Sequence, residues 1–414
     1  MADLLDVDTA VARIIEGVTS LPVETVGIDE ALGRILGEDI RADISLPPFP
    51  NSSVDGYAVR AQDVAGASRQ APAALTVVMD IPAGKAPDRA VGPSEAARIM
   101  TGAPVPAGAD AIIPVEDTDS TWRAASSSSL PTEVRIYTSA QPGANIRPVG
   151  EDIQAGQTLL NAGTLLRPQD IGVMAALGQA LIPVIRQPKV AILSTGDELV
   201  SVEETLTPGK IRDSNSYTIA GLVSTYGGVP LRLPIARDTL NDVRRLFSQA
   251  LEQQPDIVIS SAGVSVGAFD VVRTVLDELG EVNFWRVNLR PGKPLAYGHL
   301  RGVPFFGLPG NPVSAMVTFE VFVRPMLLRL AGRPDRVSMA TAIVGEDIQS
   351  DGRRSYLRVR LQRDNGRLMA RLTGTQSSGA LMSMVLADGL LIVPENASFV
   401  RAGEELPVAL LREV

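Results

Sequence analysis

The chain contains no cysteine, and its only histidine is His299. The lack of cysteine excludes disulfide bonds, thiolate metal sites and a cysteine nucleophile. A single histidine excludes a metal site built from several histidines and any catalytic arrangement that needs two of them. Oxygen-bound metal ions and electrostatic stabilisation therefore remain as the plausible catalytic tools.

Long apolar runs and a surplus of basic residues are also missing. No apolar run reaches the roughly 18 residues of a membrane span, and the acidic start MADLLDVD does not resemble the basic region of a signal peptide. The formal net charge is −9, which argues against nucleic acid or an anionic membrane as a partner. We therefore expect a cytoplasmic protein, in which an anionic ligand needs a local basic pocket.

The chain does have four glycine-rich or basic loops, each next to an apolar run typical of a strand. These loops lie at residues 194–198, 260–267, 290–294 and 308–312. A buried strand that leads into such a loop presents converging backbone N–H groups to an anion, and a following helix adds its dipole. We expect a small anionic ligand here, although ordinary turns also place Gly and Pro in loops.

The order of the predicted elements divides the chain into modules. With 414 residues and 45% hydrophobic residues, the chain is long enough for several globular domains. Strand and helix patterns alternate from residue 168 to 330, which is typical of a doubly wound, mostly parallel α/β sheet that binds ligands at the carboxyl ends of its strands. Short strands separated by turns predict a small β domain before this region, and residues 335–414 predict a small β-barrel or sandwich. Helices are predicted near the amino terminus at 6–18 and 28–36.

Charged residues cluster around the loops of the α/β region. The carboxylates at the ends of predicted strands are Asp197, Glu198, Asp238 and Asp270. Asp238 and Asp270, taken singly, could be helix N-caps. Four carboxylates beside basic loops favour instead a divalent cation that holds a phosphoanhydride. Arg286, Arg290 and Lys293 supply positive charge for phosphate or oxyanion contacts.

Eight stretches of the sequence closely resemble the MoeA/gephyrin E-domain family, the molybdopterin molybdenumtransferases. They are PPFPNSSVDGYAV, RIMTGAPVPAGADAIIPVED, NIRPVGED, STGDEL, ISSAGVSVGAFD, RPGKP, GLPGNPVSA and TGTQSSGALMSM, and they follow the family's order along nearly the whole chain. The resemblance implies a homodimer of elongated subunits with a multidomain α/β plus β fold. The implied domains are an elongated N-terminal domain (1–50 with 146–186), a small β domain with the VDGYAV loop (51–145), a MogA-like, molybdopterin-binding α/β domain (187–334) and a C-terminal β-barrel (335–414).

The resemblance also implies a reaction. The family inserts molybdenum from molybdate into adenylylated molybdopterin and releases AMP, with a divalent ion, usually Mg²⁺. Its site lies between the α/β domain of one subunit and the VDGYAV domain of the other, and the molybdopterin adenylyltransferase is an expected substrate donor. Two alternatives stay open: adenylylation of molybdopterin by ATP, to which the α/β domain alone points, and a non-catalytic scaffold like that of gephyrin.

The motifs and loops together give the expected site residues. The expected catalytic residues are Asp55, Glu198, Asp238, Asp270 and Lys293, and three of them (Glu198, Asp238 and Asp270) would hold the metal. The expected substrate-binding residues are Thr101, Arg147, Asp152, Ser265, Gly267, Arg286, Arg290, Pro309, Pro312, Arg358 and Ser378. Arg286 and Arg290 stand where family members often carry Lys. Arginine keeps the positive charge, but it offers a planar set of donors where lysine offers a point charge.

Overall fold

The computed structural model describes residues 4–120, 129–261, 269–335 and 337–412, and at Phe269 and Asp270 it describes the backbone alone. The chain forms two compact units. The first comprises Met1–Glu38, Ala162–Ile171 and Ala180–Val414, and the second comprises Asp39–Asn161 and Gly172–Gln179. No helix in the described ranges is both long and apolar enough to cross a membrane. The predicted α/β and C-terminal regions both fall in the first unit, and the four-domain boundaries stay a prediction.

A six-stranded sheet lies at the centre of the first unit. Its strands are β1 (Lys189–Ser194), β2 (Val229–Arg232), β3 (Ile257–Ser261), β4 (Gly280–Arg286), β5 (Pro294–Leu300) and β6 (Val303–Leu308). The strand order is β2-β1-β3-β6-β5-β4. The first four strands in this order are parallel, and β5 runs antiparallel to both of its neighbours. Strand β4 therefore points in the same direction as the parallel strands, and the predicted mostly parallel α/β sheet is confirmed.

Helices cover both faces of this sheet. The helices of the chain are α1 (Val7–Ile15), α2 (Pro168–Ala176), α3 (Asn215–Thr225), α4 (Leu240–Glu252), α5 (Phe269–Leu279), α6 (Pro312–Thr318), α7 (Arg324–Leu330) and α8 (Leu381–Val385). Along β1, Val190 and Ile192 pack with α1, α3, α6 and α7, whereas Ala191 and Leu193 pack with α4 and α5. This alternation follows from the pleat, because successive side chains of a strand point to opposite faces.

Two predicted helices differ from the structure. The pattern over 311–330 predicts one helix, but the π-helical segment Phe319–Val323 separates α6 from α7. Pro325 explains the interruption, because it has no N–H to donate and its ring excludes the carbonyl four residues earlier. The predicted helix at 28–36 is only the 3₁₀ turn Ile28–Glu30. Gly33 follows it with φ of 74°, a left-handed conformation that stops a helix.

The C-terminal region of the first unit is a closed β-barrel. Its strands are β7 (Met339–Val344), β8 (Arg354–Asp364), β9 (Arg367–Leu372), β10 (Gly389–Val393) and β11 (Glu405–Leu410). They follow the order β8-β9-β7-β11-β10, and a further pairing of β8 with β10 closes the barrel. The short strand Leu289–Arg290 pairs with the start of β8, which ties the barrel to the loop between β4 and β5. Of the two predicted forms, barrel or sandwich, the structure has the barrel.

The second unit contains a five-stranded sheet. Its strands, in spatial order, are Ala111–Pro114, Gly56–Val59, Glu95–Ile99, Ala73–Ile81 and Glu133–Ile136. Shorter two-stranded pairs in the chain are Val23–Gly27 with Leu181–Ile185, Ile40–Arg41 with Thr158–Leu160, Asn51–Ser52 with Ile146–Arg147, Leu199–Val200 with Ile211–Arg212, and Ile348–Gln349 with Phe399–Val400. The predicted small β domain is thus present as a sheet.

Candidate functional site

The four loops that the sequence singles out begin at one edge of the α/β sheet, and residues 262–267 of the second loop lie outside the described residues. They follow the carboxyl ends of β1, β3, β4 and β6, and the direction of β4 brings the loop at 290–294 to the same edge as the other three. Asp238 follows β2 at that edge as well. This is the edge at which parallel α/β sheets bind their ligands.

Carboxylates occupy the β2-β1 end of this edge. The backbone N–H of Asp197 faces Oδ2 of Asp238, and the N–H of Asp238 faces Oδ1 of Asp197, both at 3.4 Å. Oδ1 of Asp238 is buried and has no hydrogen-bond partner among the residues that the structure describes. Burial, together with the nearby charges of Asp197 and Glu198, raises the pKa of Asp238. The unpartnered oxygen and the crowded negative charge together favour a cation at this end.

The loop that carries Glu198 has a fixed shape. Gly196 has φ of 151°, and a Cβ at this position would meet Oε2 of Glu198 at 2.5 Å. The Glu198 carbonyl accepts from the N–H of Ile211 at 2.8 Å, and Nζ of Lys210 donates to the Asp197 carbonyl. The φ of Gly196 is one that other residues rarely adopt, which explains the glycine at this position of the loop.

The chemistry of these donors fits a divalent cation. Among the described side chains, no three His, Cys, Asp or Glu residues form a ready-made metal cage, and the Asp270 carboxylate lies outside them. Mg²⁺ is usually held by one or two carboxylates together with phosphate oxygens of a substrate, so a complete protein cage is not required. The N-cap alternative for Asp238 is wrong, because Thr239 caps α4 through a bond from the Asp242 N–H to its Oγ1 at 3.2 Å.

Cations occupy the β4 end of the same edge. The N–H of Val287 donates to the Lys293 carbonyl at 2.8 Å, which closes the loop between β4 and β5. Nη1 of Arg290 lies 3.6 Å from the Asp351 carboxylate, and the Arg290 side chain is 42% exposed. The Arg286 side chain, at the end of β4, is exposed. The loop therefore presents three cationic side chains, of which Arg290 is weakly paired.

The barrel adds a buried cation to this end. Arg358 is 1% exposed, and it lies on the opposite face of β8 from Leu357 and Val359, which belong to the barrel core. Its guanidinium donates to Ser383 Oγ at 3.2 Å and to the Ser377 carbonyl at 3.1 Å. Burial, with a contribution from the charge of Arg290, lowers the pKa of Arg358 to about 10. No carboxylate within the described ranges forms an ion pair with it.

Ser378 joins the barrel to the start of α6. The amide of Asn311 donates to Ser378 Oγ at 3.1 Å, and the N–H of Val313 donates to the Ser378 carbonyl at 3.0 Å. Pro312 is the first residue of α6, and Pro309 is buried just before it. The structure thus brings Ser378 to the loop that holds both prolines, at the same edge of the sheet.

A cavity of about 120 Å³ adjoins Arg290, but Arg358 and Ser378 do not line it. Arg290, Ser350, Ser355 and Gln376 line it together with Asp347 and four further residues. Within the described part of the chain, the buried Ser350 hydroxyl has no hydrogen-bond partner. The lining of the cavity is therefore mixed in charge, with the cation of Arg290 and the carboxylate of Asp347.

The second unit holds the remaining predicted residues. Oδ1 of Asp55 accepts from the N–H of Thr101 at 2.7 Å and from its hydroxyl at 2.8 Å. Gly56 starts a strand whose neighbour is so close that a Cβ would meet the Ile113 carbonyl oxygen at 1.9 Å. The pair Asp55-Gly56 is therefore a strand entry rather than a simple turn. Arg147 and Asp152 are exposed residues of the same unit.

Comparisons with known proteins bear on all of these regions. Three family profiles match: the MoeA N-terminal region (domain I and II) over residues 5–178, the probable molybdopterin binding domain over 191–329, and the MoeA C-terminal region (domain IV) over 341–411. The chain is 40% identical to Molybdopterin molybdenumtransferase 2 of Mycobacterium tuberculosis (strain H37Rv), over 93% of this chain and 94% of that protein. It is 35% identical to the molybdopterin molybdenumtransferase of Bacillus subtilis, over 99% and 94%.

The chain belongs to the MoeA family. The crystal structure of the molybdopterin biosynthesis MoeA protein from Pyrococcus horikoshii agrees, with a TM-score of 0.81 and 35% identity over 100% of both chains. The resemblance found in the motifs is therefore confirmed, and the chain is placed among the molybdopterin molybdenumtransferases of molybdenum cofactor biosynthesis.

Some expected positions of the MoeA family cannot be placed. Ser265 and Gly267 lie outside the described residues, and so does the carboxylate of Asp270. The roles expected for individual residues therefore stay predictions.

Sequence reasoning missed the groups that hold the expected MoeA residues in place. Gln376 and Ser383 bond to Arg358, and Asn311 bonds to Ser378. Gln376 and Ser383 belong to the stretch TGTQSSGALMSM, and Asn311 belongs to GLPGNPVSA, so the motifs contained the signal. What the sequence does not provide is the pairing, because each contact joins residues far apart in the chain.

Proposed function

We propose that this chain uses molybdate and adenylylated molybdopterin as substrates, inserts molybdenum and releases AMP, with the assistance of Mg²⁺. The observation that carries the proposal is the buried Arg358 guanidinium, which has only neutral oxygen partners among the described residues. A buried cation is stable when a counter-charge or several hydrogen bonds compensate for its lost hydration. A dianionic oxyanion supplies that compensation, because it brings both charge and acceptor oxygens.

Arg290, Lys293, Arg358 and Ser378 then form the molybdate pocket. Molybdate has only acceptor oxygens and two negative charges, so it needs cations and hydroxyl or N–H donors together. The basic loop, the barrel strand β8 and the loop of Ser378 contribute these groups from three different segments. Arg286 supports the same end with its exposed charge.

Glu198, Asp238 and Asp270 would hold Mg²⁺ together with the phosphates of the substrate. The buried and unpartnered Oδ1 of Asp238 supports this role. When bound, such a cation neutralises negative charge that develops on the phosphoanhydride. In this proposal the chain's own carboxylates orient the phosphates, and the glycine loop that contains Ser265 and Gly267 binds them through backbone N–H groups.

The two ends match the two reacting parts of the substrate. Neighbouring strands are about 4.8 Å apart, so two spacings from β1 to β6 give about 10 Å between the acidic loop and the loop that Ser378 contacts, and four spacings from β1 to β4 give about 19 Å between the acidic loop and the basic loop. Adenylylated molybdopterin carries a phosphoanhydride at one end and a dithiolene at the other. We infer that the phosphoanhydride lies at the acidic end and the dithiolene at the basic end, next to molybdate.

The second unit would complete a site across a homodimer in the cytoplasm. Asp55, fixed by Thr101, belongs to the second unit, whereas the acidic and basic loops belong to the first. We propose that Asp55, with Arg147 and Asp152, serves the site of the partner subunit, and that the adenylyltransferase hands over the substrate.

The decisive assay measures AMP released from adenylylated molybdopterin with and without molybdate, over a range of Mg²⁺ concentrations. We expect release that depends on both. Formation of adenylylated molybdopterin and pyrophosphate from ATP would support the adenylyltransferase alternative instead, and the absence of both reactions would support a scaffold.

A further inference from the structure

The orientation of the Arg358 side chain depends on hydrogen bonds to neighbouring protein groups. Its Nη1 has no hydrogen-bond partner among the described residues, whereas Nε and Nη2 are bonded within the protein. Because a guanidinium is planar, fixing Nε and Nη2 also fixes the direction of Nη1. Nη1 is therefore the nitrogen that remains for an oxyanion.

Ser383 holds the plane of this guanidinium. Ser383 belongs to the short helix α8 and is only 4% exposed. Its hydroxyl donates to the Ala380 carbonyl at 2.6 Å. Because its only proton is used in that bond, the oxygen meets Nε of Arg358 as an acceptor, at 3.2 Å.

Gln376 holds the backbone of the same residue. Its Oε1 accepts from the Arg358 N–H at 3.0 Å, and its Nε2 donates to the Arg358 carbonyl at 3.1 Å. The side-chain amide thus takes the place that a neighbouring strand would take in the ladder. Hydrogen bonds therefore join the loop of Ser378 to Arg358 of β8, and the Ser383 side chain is one that contacts the guanidinium.

We propose that Ser383 is a positioning residue for molybdate binding, which it promotes by fixing the Arg358 guanidinium so that Nη1 faces the oxyanion. This inference rests on the proposed role of Arg358 in the molybdate pocket. The simpler alternative is that Ser383 only stabilises α8 through its bond to Ala380.

A double-mutant cycle separates these possibilities. The variants are Ser383→Ala, Arg358→Gln and the double variant, and the readouts are the half-saturating molybdate concentration for cofactor formation and calorimetric binding of molybdate to the enzyme without pterin. We expect Ser383→Ala to weaken molybdate binding about 3- to 10-fold and Arg358→Gln to weaken it at least about 10-fold. In the Arg358→Gln background, Ser383→Ala should have no further effect.

The outcomes are distinguishable. An equal effect of Ser383→Ala in both backgrounds, or none in either, overturns the inference while leaving the role of Arg358 intact. If Arg358→Gln binds molybdate normally, the proposed pocket itself is wrong. Met382→Ala, at a 60% exposed position of the same helix, is the matched control and should bind molybdate normally. If Ser383→Ala unfolds early in a thermal melt, Ser383→Cys keeps the volume with a poor acceptor and replaces it in the cycle.

Discussion

The two ends of one sheet edge carry charges of opposite sign. At the β2-β1 end, Asp197 and Asp238 approach each other with backbone N–H groups between them, and one carboxylate oxygen stays unpartnered. At the β4 end, Arg358 is buried among carbonyl and hydroxyl oxygens, near Arg290. Charges of the same sign therefore lie close together at each end. The carboxylates of one end do not form ion pairs with the cations of the other end within the described residues.

This difference shows how the fold separates two functions along one surface. Parallel strands place every loop at the same edge, and the strand order decides which loops are neighbours. Carboxylates after β1 and β2 are therefore kept away from the cations after β4 by the strands β3, β6 and β5. Had the charged loops been adjacent, ion pairs between them would have closed the site.

The largest expected effect comes from removing charge at the basic end. Lys293→Ala should raise the half-saturating molybdate concentration roughly 10- to 150-fold, because a hydrogen bond to a charged group contributes about 1.5–3 kcal/mol. Affinity for adenylylated molybdopterin should change much less, because in our proposal its phosphates bind at the other end. The measurement is cofactor formation as a function of molybdate concentration.

Lys189→Ala is the control for this variant. Lys189 is an exposed lysine at the amino end of β1, on the edge away from the site. Lys189→Ala should leave both the half-saturating molybdate concentration and the affinity for adenylylated molybdopterin unchanged. If Lys293→Ala instead abolishes binding of adenylylated molybdopterin and leaves the molybdate dependence intact, the two ends have been assigned the wrong way round.

A somewhat smaller effect is expected at the acidic end. Asp238→Asn should slow AMP release about 10- to 100-fold and raise the Mg²⁺ concentration required, because an amide is a much weaker ligand than a carboxylate. Molybdate binding to the free enzyme should be unaffected. AMP release is measured over a Mg²⁺ titration, and Glu281→Gln, exposed at the amino end of β4, is the matched control. An unchanged Mg²⁺ dependence would exclude Asp238 from the cation site.

Mixed dimers extend the comparison to the second unit. Asp55→Ala and Asp238→Ala subunits should each be nearly inactive alone. If the site is shared between subunits, a statistical mixture contains half heterodimers, each with one intact site, so about a quarter of the wild-type activity should return. Subunits are unfolded together, refolded and assayed. Activity no higher than that of either parent would place Asp55 outside a shared site.

The sequence predicts which loops lie at one edge of the α/β sheet better than it predicts which side chains contact each other there. Strand signals next to glycine loops are local, so the positions of Glu198, Asp238 and Lys293 at one edge followed from the alternation of strands and helices. The sequence does not predict the interruption of the helix at 311–330, because the apolar periodicity continues across Pro325. The sequence also allows Asp238 to be the N-cap of α4, whereas in the structure Thr239 is the N-cap. The support of Arg358 by Gln376 and Ser383 depends on the closure of the barrel, which no local pattern encodes.

The smallest expected effect concerns charges that are paired, in contrast to those at both ends of the edge. Arg354 on β8 bonds to Glu395 through two contacts of 2.8 Å and reaches Asp8 of α1 at 2.6 Å. The Arg354 guanidinium lowers the pKa of Glu395 to about 2 and also lowers that of Asp8. These pairs fasten the N-terminal helix to the barrel, and we expect them to act on stability alone.

Glu395→Gln should lower the melting temperature at pH 7 by about 1–3 °C, since partly exposed pairs contribute little. The pKa of Glu395 is depressed on folding, so its contribution is present above the ordinary value of 4.5 and is lost as the pH falls toward about 2. The difference in melting temperature between wild type and variant should therefore shrink across that window, and molybdate half-saturation should not change. Thermal melts between pH 7 and pH 2 test this, with the exposed Glu405→Gln as the control. A difference in melting temperature that stays constant at every pH would mean that the amide disturbs packing and does not break an ion pair. An altered molybdate dependence would mean that the paired and unpaired charges of this unit are not functionally separate.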